Sequence, residues 1–337
     1  MTTIKDVAKE VGVSVTTVSL VLNHKSVRVS EATRKKIFEV AEKLKYTPNF
    51  AARSLVSKES KTIGLIIPDI ENAFFSSLYK SIEDYARSLG YMVLLMNNND
   101  SHQTNLEVID LLLNRHIDGL LLVISNESYQ EQYQEEMKRV LLNLSIPLVM
   151  VDRVFDDSYV NKVHFDNQLG GYLATRHLID HGHKKIACIT GPKDTKSSEK
   201  RLKGYYQAMK EANLTINEDL LLEGDYHFDS GRIRMNELLN KDLTGIFAFN
   251  DLMAYGAIFS IYDVNKDIPD DYSIIGYDHF LLATLLNSQL DSIEQNSKIL
   301  GEEACKILFS EIKNKTEDRQ NICLEPVLFK SGSVKEI

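Results

Sequence analysis

The stretch Thr3-Ile4-Lys5-Asp6-Val7-Ala8-Lys9-Glu10-Val11-Gly12-Val13-Ser14-Val15-Thr16-Thr17-Val18-Ser19-Leu20-Val21-Leu22 decides how the chain is read. Apolar residues at 4, 7, 8 and 11 have the i, i+3, i+4, i+7 spacing of one face of a short amphipathic helix. Gly12 can take a left-handed cap, and the Ser14 hydroxyl can cap a second helix from Val15 to Leu22. Two short helices joined by a three-residue turn containing glycine predict a helix-turn-helix. In the second helix Val18, Val21 and Leu22 can pack on the first. Val15, Thr16, Ser19 and Leu20 are left on the face that a recognition helix turns to the major groove. A pair of short helices can equally belong to a small bundle, so pattern alone leaves DNA reading open.

Working outward, Ser30 reads as the N-cap of a third helix from Glu31 to about Lys45, with Ile37, Val40, Ala41 and Leu44 as its buried stripe. Arg34, Lys35 and Lys36 fall on the other side, where a solvated face and phosphate contact are the two readings; beside a helix-turn-helix, phosphate is favoured for at least one. Pro48 ends that helix. Asn49 to Val56 is a run of helix formers too short to be stable alone, followed by a polar stretch at 57–61.

Charge supports a nucleic-acid partner for this head. The 337 residues carry a net charge of -9, yet residues 1–60 hold 11 Lys+Arg against 6 Asp+Glu, a net +5, and the remainder is net -14. A basic head on an acidic body is the layout of a DNA-binding module carried by a regulatory domain.

Thr3-Ile4-Lys5-Asp6-Val7-Ala8, Gly12-Val13-Ser14, Thr17-Val18-Ser19, Val21-Leu22-Asn23, Val29-Ser30, Thr33-Arg34, Tyr46-Thr47-Pro48-Asn49 and Ala52-Arg53-Ser54-Leu55 together resemble the head of the lactose/galactose/purine repressor (LacI/GalR) family. The resemblance implies that Thr3, Ser14, Val15, Thr16, Thr17, Ser19, Leu20, Asn23 and Arg34 meet DNA. It also implies that 49–61 is a hinge helix and linker folding on the operator, with Asn49, Ala52 and Arg53 beside it and Leu55 wedged into the minor groove.

From Thr62 the pattern changes. Apolar runs at 63–67, 91–96, 118–124, 146–151, 161–165, 185–190, 220–224, 245–249 and 272–277 are mostly separated by helical stretches. Such alternation specifies parallel sheets covered on both faces. The fold class expected is therefore α/β: a small all-α helix-turn-helix head at 1–48, then, by resemblance, two doubly wound parallel-sheet subdomains of periplasmic-binding-protein type at 62–330. No helical stretch separates 146–151 from 161–165, and the expectation is that the chain crosses to the second subdomain there. The near subdomain is then about 62–160 and 291–320, and the far one about 161–290 and 321–330.

Ligands of such folds sit where strand C-termini face each other. Residues just past the strands include Phe74, Phe75, the run Asn97 to Asp100, Asp152, Arg153, Arg201, Tyr226, Asn250, Asp251 and Asp278. Carboxylates, amides, arginine and aromatic faces suit a polyol. By resemblance, Arg201, Tyr226, Asn250 and Asp278 match effector-binding positions, Phe74 and Asp152 match more variable ones, and Asp100 joins them as a strand-end carboxylate. Other roles compete: Asp251 as the cap of the following helix, Phe75 as core, 97–100 as a polar loop.

An enzyme would need a nucleophile or metal constellation. His181 and His183 are i, i+2 with no local third ligand, and neither a G-x-S-x-G nor a Walker sequence occurs. No cofactor and no metal are expected. Cys188, Cys305 and Cys323 show no C-x-x-C spacing and read as buried reduced thiols of a cytoplasmic protein. No apolar run reaches the ~18 residues of a membrane span, and the polar first helix is unlike a signal peptide. The expectation is a homodimeric repressor of a carbohydrate-utilisation operon that binds a near-palindromic operator and is switched by a sugar or sugar phosphate. The alternatives are a catabolite-control-type regulator with a phosphorylated carrier protein as coeffector, or a purine-responsive repressor. Because the polar segment 331–337 offers no heptad seam, assembly is expected to stop at the dimer.

Overall fold

The computed structural model describes residues 2–23, 25–46, 59–156, 159–279, 289–314 and 318–337. These form two compact units, 1–60 and 61–337. The hinge positions Asn49, Ala52, Arg53 and Leu55 lie outside the described residues.

In the first unit α1 (Ile4–Val11), α2 (Val15–Leu22) and α3 (Glu31–Lys43) close over one small core of Val7, Ala8, Val18, Val21, Ile37, Val40 and Ala41. Each terminus has a local cause. Asp6 accepts from the Thr3 backbone and hydroxyl in a capping box, Gly12 ends α1 at φ 84°, and Ser14 and Ser30 accept from Thr17 and Thr33 backbone N–H groups.

The second unit holds two six-stranded sheets among its described residues. The first runs β11-β5-β4-β3-β1-β2 and is parallel throughout, built from β1 (Thr62–Ile67), β2 (Met92–Asn97), β3 (Gly119–Leu122), β4 (Leu148–Val151), β5 (Asn161–Phe165) and β11 (Asn321–Leu324). Its central strands β1, β3 and β4 are buried on both faces because both are covered. Ile63, Leu65 and Ile67 face α4 (Ala73–Ser88) and α11 (Ser297–Asn314), while Ile66 joins the cluster under α5 (His102–Asn114) and α6 (Glu131–Leu142).

The second sheet runs β12-β10-β9-β8-β6-β7: β6 (Ile186–Thr190), β7 (Leu221–Glu223), β8 (Gly245–Ala248), β9 (Ser273–Asp278), β10 (Asp291–Glu294) and β12 (Val327–Phe329), antiparallel only at β10/β12. Helices α7 (Asn167–Asp180), α8 (Lys196–Glu211), α9 (Phe228–Leu238) and α10 (Asp251–Asp263) cover it.

This topology moves the crossings. β5 does not open the second subdomain: it pairs with β4 in parallel, Val149 to Asn161 and Val151 to Val163. The connecting segment needs no helix because Val154 and Phe155 bury in the first subdomain's core and the Lys162 ammonium donates to the Phe155 carbonyl at 2.9 Å. The chain therefore crosses after Phe165 rather than before 161. β10 belongs to the second sheet, so the return comes at 295–296 rather than at 291. β11 still belongs to the first sheet, so the last crossing lies at 325–326 rather than at 321.

Helices α7 and α8 pack at backbone distance. A Cβ on Gly171 would lie 2.1 Å from the Arg201 carbonyl oxygen, and one on Gly204 2.2 Å from that of Gln168. Gly171→Ala must push α8 away, and urea unfolding should show a loss of ~1–3 kcal/mol from overpacking. A loss below about 0.5 kcal/mol, the scale of a neutral surface change, would contradict so close an approach.

Candidate functional site

The first unit presents the exposed N-terminal end of α2. Val15 is 40% exposed and Thr16 is exposed, while Ser19 and Leu20 are half-buried on the same helix. Several residues expected to meet DNA are also engaged within the head. Thr3 caps α1, the Ser14 and Thr17 hydroxyls are 2.8 Å apart, Asn23 Nδ2 donates to the Ser19 carbonyl at 2.7 Å, and Arg34 Nε lies 3.9 Å from Glu31. Lys35 and Lys36 are exposed on α3, Lys35 beside Glu39.

Between the two sheets of the second unit lies a cavity of about 420 Å³ lined by Phe74, Asp100, Asp152, Arg201, Tyr226, Asn250 and Asp278, all seven residues expected at the strand ends. Phe74 enters at the start of α4, Asp100 after β2, Asp152 after β4, Arg201 from α8, Tyr226 after β7, Asn250 after β8 and Asp278 at the end of β9. Asp100, Asp152, Tyr226 and Asp278 have φ of 57°, 63°, 70° and 100°. Non-glycine residues seldom adopt such angles, and strain of this kind collects at functional sites.

Arg201 is 5% exposed and fixed from every side. Its Nε donates to Asn167 Oδ1 at 2.8 Å, its Nη1 to the Phe249 carbonyl, and its guanidinium stacks 3.6 Å from the centre of the Tyr277 ring. Nη2 stands 3.9 Å from Asp278 Oδ1. Burial pushes the Asp278 carboxyl up to about 6 against the opposing pull of Arg201 and of Gln295, which donates to it at 2.8 Å. Burial likewise raises Asp152, opposed by Arg153 and Arg201.

The helix cap falls to a residue other than the one expected. Asn250, not Asp251, caps α10: its Oδ1 accepts from Met253 N at 2.9 Å and its Nδ2 donates to the Tyr226 carbonyl at 2.7 Å. Asp251 is fully buried and accepts from the Ser292 hydroxyl at 2.7 Å. Asp100 lines the cavity, but its carboxylate is held by Arg153 and by the Asn126 backbone N–H at 2.9 Å. Phe75 is both core and lining. In the loop before Asp100, Asn98 is fully buried and donates to Val123 O and Asn105 Oδ1, so that segment is more than a polar loop.

Gln295, Ser197 and Asn167 also stand at the cavity or against Arg201, though no sequence feature singles them out, and Arg153 is marked only by following Asp152. Ser197 hydrogen-bonds the Tyr226 hydroxyl at 3.1 Å, and the Arg153 guanidinium lies 5.4 Å from the centre of the Phe75 ring. Only the position of Arg153 just past a strand could have marked it from sequence.

His181 and His183 bond within the fold, Nδ1 of each to His177 O and Thr244 Oγ1. The expectation of three buried thiols fails at Cys323, which is exposed on edge strand β11, while Cys188 and Cys305 are buried; all three are free. Among the described residues no helix is long and apolar enough to cross a membrane.

A helix-turn-helix unit followed by a two-sheet body with a polar cavity at its strand C-termini defines a ligand-responsive DNA-binding regulator. Residues 3–49 match the model of bacterial regulatory proteins of the lacI family, and residues 60–331 match that of periplasmic binding proteins and the sugar binding domain of the LacI family. The chain belongs to the LacI family and is a DNA-binding transcriptional repressor.

It is 36% identical over 339 residues to the HTH-type transcriptional repressor PurR of Aliivibrio salmonicida (strain LFI1238), covering 100% of both chains. It is 34% identical to PurR of Vibrio cholerae serotype O1 (strain M66-2), covering 100% of this chain and 99% of that one. Among solved structures, the lac repressor dimer bound to operator and the anti-inducer ONPF superposes with a TM-score of 0.87 at 26% identity, over 99% of each chain. The transcriptional regulator CelR in complex with cellobiose gives 0.72 at 27%, over 99% of this chain and 100% of that one.

The raised Asp278 carboxyl sets a pH dependence. The folded protein holds that proton more tightly than the unfolded chain, whose value is near 3.8, so the stability Asp278 contributes is full below about pH 4 and is lost as pH rises through about 6. Asp278→Asn removes that loss. The unliganded variant should gain stability relative to the wild type as pH rises from 4.5 to 7.5 in urea melts. A gap that does not change with pH would contradict this.

Proposed function

We propose that the chain acts as a homodimer on a near-palindromic operator, one head per half-site, and that a purine base or similar flat heterocycle in the cavity sets its operator affinity. The observation that carries the ligand reading is that aromatic rings enter the cavity from both subdomains, Phe74 and Phe75 from the first and Tyr226 and Phe228 from the second. Arg201 and Asp278 stand there as donor and acceptor for a heterocycle's edge. A flat π-system gains from rings on either side more than a polyol does. The 36% identity to a PurR repressor over the full length supports the same choice over the sugar effector expected from residue types.

A sugar remains the second reading, favoured by the resemblance to CelR with cellobiose and to LacI-family regulators solved with ribose. A carrier-protein coeffector has less support: on α11, Lys298 faces Glu302 at 3.9 Å and Lys306 pairs with Glu303 at 2.6 Å, which leaves these cations partnered by acids.

Calorimetric titration with hypoxanthine, guanine, ribose and cellobiose separates the ligand readings: purine bases should bind and the sugars should not. Binding of a sugar alone would overturn the purine reading. Operator titration with and without the ligand then gives the sign of the coupling, because linkage makes the form that binds ligand tighter the one the ligand favours.

Operator choice has its own test. By resemblance the slot after Thr17-Val18-Ser19 is often an arginine able to grip a guanine edge, whereas Leu20 offers only apolar contact, for instance to a thymine methyl. Selection on randomised half-sites should show the base pair facing Leu20 weakly specified or T-preferring, and Leu20→Arg should raise preference for G there by ~1–3 kcal/mol. A strict wild-type requirement for G, unaltered by the substitution, would show that Leu20 does not face the bases.

A further inference from the structure

The chain returns from the second sheet to the first subdomain through residues 295 and 296, between β10 and α11. From that connection the side chain of Gln295 reaches the cavity, and it is only 3% exposed. Its Nε2 donates to Asp278 Oδ1 at 2.8 Å, whereas its Oε1, buried, meets no donor among the described residues. A buried amide oxygen without a partner is destabilising, and such orphans mark places where something outside the chain completes the bonding. Turning the amide over repairs nothing, because Oε1 would then confront the Asp278 oxygen that Nε2 now serves.

We propose that Gln295 is an effector contact whose Oε1 accepts a hydrogen bond from an N–H or O–H of the bound ligand, so that this position selects ligands carrying a donor next to the group that meets Asp278. The proposal rests on the reading of the cavity as the effector site and narrows it to one ligand edge. It also places the contact on the connection between subdomains: two residues further on, at Ser297, the chain enters α11, which packs on α4 and on β3, β4 and β5. A ligand donor at Gln295 thus ties the second subdomain's Asp278 to the segment that leads into the first subdomain's core.

Gln295→Met keeps the length of the side chain and removes both polar atoms; Arg201→Met serves as the parallel variant. Full-length wild type and both variants are titrated calorimetrically with purine bases and pentoses, each beside analogues in which one N–H or O–H is methylated or deleted. Gln295→Met should weaken the bound ligand by ~10- to 100-fold. Deleting one particular ligand donor should hurt the wild type and leave Gln295→Met unaffected. The unliganded Gln295→Met protein loses the donor to Asp278 as well as the unpartnered oxygen, so the ligand-donor comparison and not the melting temperature decides the role; a purely structural glutamine would leave ligand affinity unchanged.

Wild-type affinity in Gln295→Met together with lost binding in Arg201→Met would overturn the proposal and leave the cavity as the effector site. Unchanged binding in both variants would overturn the site reading and the proposal with it. Binding of pentoses instead of purines would remove only the purine reading, and the same comparison made on O–H donors would then decide the role of Gln295.

Discussion

A guanidinium can leave water only where its N–H groups find acceptors and its charge finds an opposing one, and the second unit is arranged around meeting that condition for Arg201. Asn167 supplies an acceptor from α7, Phe249 a carbonyl from the end of β8, Tyr277 a ring face from β9, and Asp278 a carboxyl. The glycines belong to the same arrangement. Without Gly171, α7 could not approach the Arg201 backbone, and without Gly170 the Tyr277 hydroxyl would meet a Cβ at 2.0 Å. Once Arg201 is fixed, Nη2 is the edge directed toward Asp278, and the cavity has a donor and an acceptor whose spacing the surrounding packing sets.

The three crossings give that geometry a mechanical meaning. Parallel strands place their C-terminal ends together, so each sheet collects its strand-end loops at one rim, and crossings after β5, after β10 and after β11 bring the two rims to one cavity. Ligand contacts therefore divide between two bodies that share only short connections. Gln295, lying on one of those connections and bonded to Asp278, is placed to feel a change in either body.

What could be read from sequence was what local chemistry determines. Ser14, Ser30 and Gly12 announce helix ends because a cap needs only its neighbours within three or four residues. The seven cavity residues were found from two signals together: parallel architecture brings strand C-termini to one place, and the family resemblance marks which residues near them meet ligand, including Phe74 and Arg201 on helices. The sheet that receives β5 was not legible, because pairing with β4 is a tertiary choice made by the packing of Val154 and Phe155. Asn250 and Asp251 both suit a helix start, and only the buried Ser292 hydroxyl facing Asp251 separates their roles. Asn167 and Gln295 carry no local signal at all, since both act across the cavity's walls on residues distant in sequence.

Charge distribution constrains how such a body can act on DNA. With net -14 behind residue 60, the body is repelled by phosphate and adds nothing to affinity by direct attraction, while the net +5 head carries the electrostatic share. Screening shortens that repulsion to about 8–10 Å at physiological salt, so it discourages the body from lying along the duplex without preventing the head from docking. Ligand binding must then reach the operator through position rather than through charge: a purine or a sugar is neutral and leaves the -14 unchanged. On the proposed function, the body changes operator affinity by changing how the heads of a dimer are presented, and the proposal for Gln295 places one step of that change on the connection leading into α11.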